Sequence, residues 1–195
     1  MLADPKAQSQ SELGVVIVTF NSADELDGCL ESLAPYAMRV VVVDNASTDG
    51  TAGIAARHQV SLVANERNLG FAAAVNQGFT FLDTPFLLVL NPDARLTQSP
   101  RGLLALFEKP QIAAVAATLL GADGLPQSEF QFRRFPTPAL LCQEALGINR
   151  LWPGNPANRR YRYHDADWAA TAPVEQPAGA FLLIRRTAWE RVGGF

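Results

Sequence analysis

Gly14-Val-Val-Ile-Val-Thr-Phe20 is an unbroken run dominated by β-branched residues. A run of this kind, without polar alternation, suits a strand buried on both faces of a parallel sheet. It stops at Asn21-Ser22. Ser22 and Glu25 then carry the spacing of a capping box, and Leu26, Leu30 and Leu33 continue as a helical stripe up to Pro35. The alternation repeats downstream. Arg39-Val-Val-Val-Val-Asp44 reads as a second buried strand, and the polar stretch 45–50 leads into a short helix ending near His58. Val60 to Ala64 reads as a third strand, Phe71 to Leu82 as a long helix and Phe86-Leu-Leu-Val-Leu90 as a fourth strand. Ser99-Pro100 supplies an N-cap and an N1 proline for a helix through Glu108, and Ile112 to Thr118 reads as a fifth strand. This βαβαβαβ order predicts an α/β protein with a doubly wound, mostly parallel sheet and right-handed crossovers.

From Gly121 to Pro177 the pattern turns irregular, with prolines, arginines and aromatics interspersed. A turn is expected at Gly121-Ala-Asp-Gly124 and a short helix near Pro138 to Leu146. Regularity returns with Ala180-Phe-Leu-Leu-Ile184 as a strand and Thr187 to Val192 as a helix. Gly193-Gly194 then reads as a helix C-cap.

Composition narrows the function classes. Of 195 residues, 48% are hydrophobic and 18% charged, which places the chain among globular proteins. It is long enough to bury roughly 70% of its unfolded surface without a disulfide or metal staple. The formal net charge of −3 provides no chain-wide basic footprint, so nucleic acid is not an expected partner. Cys29 and Cys142 form no CxxC pair, which excludes a zinc ribbon and fits a reducing compartment where each is a small buried hydrophobe. The first twelve residues lack the apolar segment of a signal peptide and read as a loose tail. The longest apolar run, Ile112 to Leu120, is too short to cross a bilayer, so a cytoplasmic location is expected.

Ligands of open α/β sheets bind beyond the carboxyl ends of the strands. Those ends carry Thr19, Phe20 and Asn21; Asp44, Asn45, Ser47 and Asp49; Asn65, Arg67, Asn68 and Gly70; and Asn91 with Asp93. Neither the GxGxxG fingerprint nor the GxxxxGK[ST] loop is present, which disfavours classical NAD binding and P-loop hydrolysis. A GxSxG elbow is missing as well. The remaining inventory of carboxylates and amides suits a divalent cation bridging an Asp to a pyrophosphate.

Taken in order, Val15-Val-Ile-Val-Thr-Phe-Asn21, Val43-Asp-Asn-Ala-Ser-Thr-Asp-Gly-Thr51, Asn68-Leu-Gly-Phe-Ala-Ala-Ala-Val-Asn-Gln-Gly78 and Leu90-Asn-Pro-Asp-Ala94 resemble the successive motifs of family 2 glycosyltransferases. Arg134-Phe-Pro-Thr-Pro138 and Gly179-Ala-Phe-Leu-Leu-Ile-Arg-Arg186 through Gly193-Gly-Phe195 are similar to its rhamnosyltransferase-like branch. The resemblance implies a GT-A fold and inverting transfer of a sugar, rhamnose in this branch, from a nucleotide-diphosphate donor. The acceptor it implies is a saccharide or a lipid-linked molecule in cell-surface polysaccharide synthesis, with peripheral association at the inner face of the membrane. It divides the chain into a tail (1–12), a nucleotide-sugar-binding half (13–120) and an incomplete acceptor-side half (121–195) within one structural domain. It places Thr19 and Asp44 against the nucleobase with Asn21 nearby, and Asn68 and Gly70 on the nucleotide. Asn91 and Asp93 stand at the two ends of the family's DxD motif. Asn91 leaves a neutral contact there, and Asp93 becomes the ligand of Mn²⁺ or Mg²⁺. In the family a Glu-Asp motif carrying the general base follows Gly-Gly-Phe, so the base is expected beyond Phe195. Asp123, Glu129, Asp165, Asp167 and Glu175 do not match that motif.

Plainer roles stand beside these. Asp44 can close an Asx turn with Ser47, Asp49 can cap a helix, and Asn68 can cap the helix at Phe71. Gly70 can simply shape a turn, Asn91 open one before Pro92, and Asp93 serve the loop. His58 suits a helix C-terminus. Asn158-Arg-Arg-Tyr-Arg-Tyr-His164 can be a solvated loop or a contact to a pyrophosphate-bearing acceptor. Trp152, Trp168 and Trp189 suit packing by default, and Arg185 and Arg186 either a solvated face or a phosphate contact. A non-catalytic nucleotide-sugar-binding module, or a truncated inactive fragment, is the alternative reading.

Overall fold

The computed structural model describes residues 12–127, 130–167 and 170–195. The stretch expected to be a tail, apart from Glu12, lies outside the described residues, as do Glu129 and Trp168. In chain order the elements are β1 (Leu13–Thr19), α1 (Ala23–Leu33), β2 (Arg39–Asp44), α2 (Thr51–Arg57), β3 (Ser61–Ala64), α3 (Phe71–Thr80), β4 (Phe86–Leu90) and β5 (Ala114–Ala116). They continue with β6 (Phe132–Arg133), α4 (Pro138–Ala145), α5 (Ile148–Leu151), α6 (Pro156–Tyr161), β7 (Gln176–Pro177), β8 (Phe181–Arg185) and α7 (Arg186–Val192). The chain divides into two compact units, one running to Val115 and resuming at Gly179–Phe195, the other comprising Ala116–Ala178.

The first unit is built on a six-stranded sheet of order β3-β2-β1-β4-β8-β5. β1 pairs in parallel with β2 and β4, and β2 with β3, while β4 and β8 are antiparallel. The β-branched runs form these central strands because both faces are covered. Leu13, Val15, Val16 and Ile17 are fully buried, as are Val42, Val43, Leu87 and Leu88. α3 lies especially close to the sheet at Gly78, where an added Cβ would come within 2.6 Å of Val16 Cγ1. Phe79 and Val75 fill the space beside it, together with Val16, Val43 and Val89.

Several expectations are corrected. Ser22 precedes α1 but makes no side-chain cap. Its hydroxyl instead accepts from Phe20 N at 3.3 Å and donates to Phe20 O at 3.4 Å, so the Ser22–Glu25 box does not form. The segment Pro100–Glu108 is a 3₁₀ helix, with Ser99 accepting from Arg101 N as expected of its cap. The fifth strand shrinks to three residues at the sheet edge, next to β8. Arg185 and Arg186 serve neither a solvated face nor a phosphate. The Arg185 guanidinium donates to the carbonyls of Phe107 and Ile112 and lies over the Phe107 ring, and Arg186 donates to Thr84 O and Leu82 O. Cys29 is buried, but Cys142 is exposed.

In the second unit β6 and β7 form a two-stranded antiparallel ribbon. The buried amide of Gln131 accepts from Leu119 N at 2.9 Å and donates to Ala117 O at 2.7 Å, so neither end of it is left unsatisfied. Thr137 and Asn155 cap α4 and α6 with their side chains. The turn expected at 121–124 closes through Gly124 N to Gly121 O at 2.9 Å.

Candidate functional site

The carboxyl ends of β1, β2, β3 and β4 meet at one end of the sheet because all four are parallel and in near register. Thr19 lies opposite Asp44, and Asp44 opposite Ala64. Thr19 and Asp44 are both buried, and Thr19 Oγ1 donates to Asp44 Oδ1 at 3.0 Å. The other carboxylate oxygen accepts from Ser47 N at 3.2 Å, and the Ser47 hydroxyl donates to Oδ1. The expected Asx turn is therefore present, and it fixes the Asp44 carboxylate rather than excluding a ligand role.

The first two loops are stitched together from the sequence-distant side. Asn21 sits at φ 51°, a left-handed conformation that asparagine tolerates. Its backbone N donates to Ser47 Oγ at 2.8 Å, and its side-chain oxygen accepts from Thr48 N at 2.9 Å. Ser22 N donates to Thr51 Oγ1 at 3.0 Å. Asp49 completes the seam. One of its oxygens accepts from Thr51 N at 2.9 Å and the other from Ala23 N at 3.0 Å, so one carboxylate serves the starts of both α1 and α2. The Thr51 hydroxyl bond, followed in weight by these amides, holds the Asp49 carboxyl below its ordinary range.

A second set of amides shapes the third loop. Asn45, buried behind Asp44, accepts from Asn65 Nδ2 at 3.0 Å, and Asn65 exchanges two 2.9 Å bonds with Gln77 of α3. Asn45 Nδ2 also reaches Gly70 O at 3.4 Å. Asn68 does not cap α3; its side-chain oxygen accepts from Gly70 N at 2.8 Å, turning the chain so that Gly70 adopts φ 84°. Asn45, Asn65 and Gln77 carry this network, and only the polarity of Asn45 and Asn65 at strand ends hinted at it in the sequence.

A cleft of about 270 Å³ opens between the first and fourth loops. Asn21, Ser22, Glu25, Phe71, Asn91 and Asp93 line it. Thr19, Asp44, Asn68 and Gly70 are not among its walls, although Phe71 directly follows Gly70. The loop bearing Asn91 and Asp93 is fastened to α1. Asn91 O accepts from the Cys29 thiol at 3.6 Å, Leu96 N donates to Ser32 Oγ at 3.0 Å, and the Arg95 guanidinium covers Gly28. Burial, reinforced by the Asp93 carboxylate and opposed by Arg95, pushes the Cys29 thiol up to about 12, so it stays protonated. Phe20 and Phe71 stand half-exposed at this end of the sheet, offering faces for stacking.

Among the described residues no group of three or more His, Cys, Asp or Glu side chains gathers to hold a metal. Asp93 with Glu25 gives the cleft two carboxylates at most, a donor set that fits a cation taking its remaining oxygens from a diphosphate and water. Three of the other carboxylates considered for catalysis have structural partners, and Glu129 lies outside the described residues. Asp165 accepts from Arg134 at 2.8 Å, which lowers its pKa, Glu175 accepts from Phe135 N at 2.6 Å, and Asp123 accepts from Leu125 N at 3.0 Å. Of the remaining sequence candidates, Trp189 packs edge-on against Phe79 with ring centroids 5.3 Å apart. His58 caps α2 and pairs with Asp27 at 2.7 Å.

The family model for glycosyl transferase family 2 matches residues 14–167, which include all four loops just described. The chain belongs to glycosyltransferase family 2. Within this family it is 30% identical, over 94% of its length, to an N-acetylglucosaminyl-diphospho-decaprenol L-rhamnosyltransferase of Mycobacterium tuberculosis. It is 22% identical over 93% of its length to a low-salt glycan biosynthesis hexosyltransferase of Haloferax volcanii. The chain spans 64% of the first relative and 55% of the second. Among solved structures it is similar to a Pyrobaculum calidifontis mannosyltransferase in complex with GDP-Man and Mn²⁺, with TM-score 0.61 and 19% identity over 94% of this chain and 47% of that one. A Mycobacterium tuberculosis glucosyl-3-phosphoglycerate synthase with Mn²⁺, UDP and glucosyl-3-phosphoglycerate gives TM-score 0.55 and 15% identity over 93% of this chain and 59% of that one. Both are GT-A glycosyltransferases, and at such identities the likeness is one of fold. The glycosyltransferase family 2 chain thus has the mixed, mostly parallel sheet flanked by helices expected of it.

Proposed function

We propose that this chain forms the donor-binding part of an inverting glycosyltransferase that moves rhamnose from a nucleoside-diphosphate donor to a saccharide or lipid-linked acceptor in cell-surface polysaccharide synthesis. The observation that carries the reading is the cleft at the carboxyl ends of β1 and β4, where Asn21, Asn91 and Asp93 converge on space for a ligand. In this reading Thr19 and Asp44 recognise the nucleobase, the Asp44 carboxylate accepting a base N–H while Thr19 and Ser47 hold it in place. Asn68 and Gly70 shape the wall along the nucleotide, and Asn91 offers a neutral amide to the ribose side.

Asp93 would hold a divalent cation, Mn²⁺ or Mg²⁺, with Glu25 close enough to share the cleft. When bound, such an ion neutralises charge on a departing diphosphate. The protein's own part is positional. The Cys29, Ser32 and Gly28 surface of α1 fixes the loop carrying Asp93, and the Asn21–Thr48 seam keeps the opposite wall from moving away. The residues 13–120 supply the donor side in this account and 121–195 the acceptor side.

The rhamnose assignment draws its support from the mycobacterial relative's name, and thymine is the base expected with it. A competition series with TDP, UDP and GDP tests it. TDP should displace a fluorescent nucleotide at the lowest concentration, and a preference for GDP would overturn the ranking.

A further inference from the structure

The second unit exposes large apolar side chains on an ordered surface. On α4, Leu140 turns inward at 6% exposure, while Leu141 is 57% and Leu146, at the helix end, 73% exposed. The next helix ends on Leu151 and Trp152, exposed by 87% and 60%. These side chains do not sit on a frayed loop. Glu144 accepts from Asn149 at 2.8 Å, Asn149 accepts from Asn155 at 2.8 Å, and Asn155 also donates to Trp152 O at 2.8 Å. Asn155 and Asn158 are almost fully buried, so buried amides fix a turn whose tip is apolar. Presenting Leu151 and Trp152 to water in a fixed geometry is unfavourable unless something apolar meets them.

Charge says what meets them. Residues 146–164 contain four arginines and no carboxylate, ahead of Asp165, which pairs with Arg134, and Asp167. Arg150, Arg159 and Arg160 are exposed, and a cavity of about 270 Å³ beside them is lined by Arg162, His164 and Asn158. Leucines and a tryptophan flanked by arginines are the composition of a segment that lies in the headgroup layer, its apolar tips in the acyl boundary and its cations on anionic lipid. No helix among the described residues is long and apolar enough to cross a membrane.

We infer that the α4–α5 surface, led by Leu146, Leu151 and Trp152, docks this protein peripherally on an anionic lipid surface. The inference deepens the reading above, since it supplies a reason for a lipid-linked acceptor, yet it is tested separately from donor binding. The 195-residue chain is mixed with vesicles of phosphatidylcholine alone, or of phosphatidylcholine with phosphatidylglycerol, and floated on a density gradient. Wild type should float with the phosphatidylglycerol vesicles and leave them as salt is raised. A double variant Leu151→Ser/Trp152→Ser should bind at least about tenfold more weakly. Arg159→Gln/Arg160→Gln should weaken binding and flatten its salt dependence. Phe81→Ser, in the other unit, should change nothing. Circular dichroism establishes that each variant is folded, and nucleotide affinity is measured alongside. Donor binding without vesicle binding would overturn the docking surface alone; vesicle binding without donor binding would leave it standing and remove the proposed function. Equal flotation of the Leu151→Ser/Trp152→Ser variant would overturn it. So would self-association of the wild type that this variant abolishes, because the surface would then belong to a second copy.

Discussion

Thr19 and Asp44 end neighbouring parallel strands, and the threonine hydroxyl donates to the aspartate across 3.0 Å at a site where both are buried. The pair joins the sheet's hydrogen-bond ladder to the loop chemistry above it. Thr19→Val keeps the shape and removes the donor. It should cost about 1 kcal/mol of stability, read by urea denaturation, because Asp44 retains its Ser47 bonds. Asp44→Asn should leave the protein folded and weaken nucleoside diphosphate at least about tenfold, since a charge-assisted acceptor is lost. Unchanged affinity in Asp44→Asn would remove it from the base contact.

Gly78 is the point where α3 rests on β1, and the space there is closed by Val16 and Val43. Gly78→Ala gains helix propensity, yet its methyl would sit 2.6 Å from Val16 Cγ1. Overpacking outweighs propensity here, so a net loss of about 1–3 kcal/mol is expected by chemical denaturation. A stabilised variant would show that α3 can lift off the sheet freely.

The central strands were legible because β1, β2 and β4 are buried on both faces, and their continuous apolar runs end within a residue of the observed strands. The strand near residue 182 was visible too, but its antiparallel direction was not, since burial pattern carries no sign. The capping box at Ser22 failed for a physical reason. Thr51, 29 positions away, takes the Ser22 amide that Glu25 would have accepted in the box, and the Ser22 hydroxyl turns back on Phe20. Long-range partners of this kind leave no local spacing to read. The same holds for Asn45, Asn65 and Gln77, whose network spans two loops and a helix. At the cleft, Asn21, Asn91 and Asp93 were found from strand-end position together with the motif resemblance, while Glu25 was read only as a capping residue.

Asp49 makes a pH prediction. Its folded pKa is depressed below 3.8, so its contribution is present above the unfolded value and is lost as pH falls through the folded one. Asp49→Ala should therefore lower Tm at neutral pH, and the gap from wild type should close in acid below the ordinary carboxylate range. A gap that stays constant down to the lowest folded pH would contradict the double-cap assignment.

Asn76 holds the last turn of the chain. Its side-chain oxygen accepts from Trp189 Nε1 and from Phe195 N, each at 3.0 Å. Gly194 passes directly over it with φ 99°, where a Cβ would lie 2.8 Å from that oxygen. Gly194→Ala should detach the turn from α3 at a cost of about 1–2 kcal/mol. Faster amide exchange at Phe195 and altered Trp189 fluorescence, with the sheet amides unchanged, would report it.

The account rests on Asp93 and the cleft beside it, and thermal protection by a nucleoside diphosphate with Mn²⁺ tests both at once. Ligand at 100 times its dissociation constant stabilises by about 2.7 kcal/mol. Wild type should therefore show a clear rise in Tm with TDP or UDP plus Mn²⁺, and a smaller rise when the metal is chelated. Asp93 is exposed, so Asp93→Ala should keep the unliganded Tm and lose the part that depends on Mn²⁺. No protection of wild type by TDP, UDP or GDP, or an Asp93→Ala response identical to wild type, would contradict the donor-site assignment.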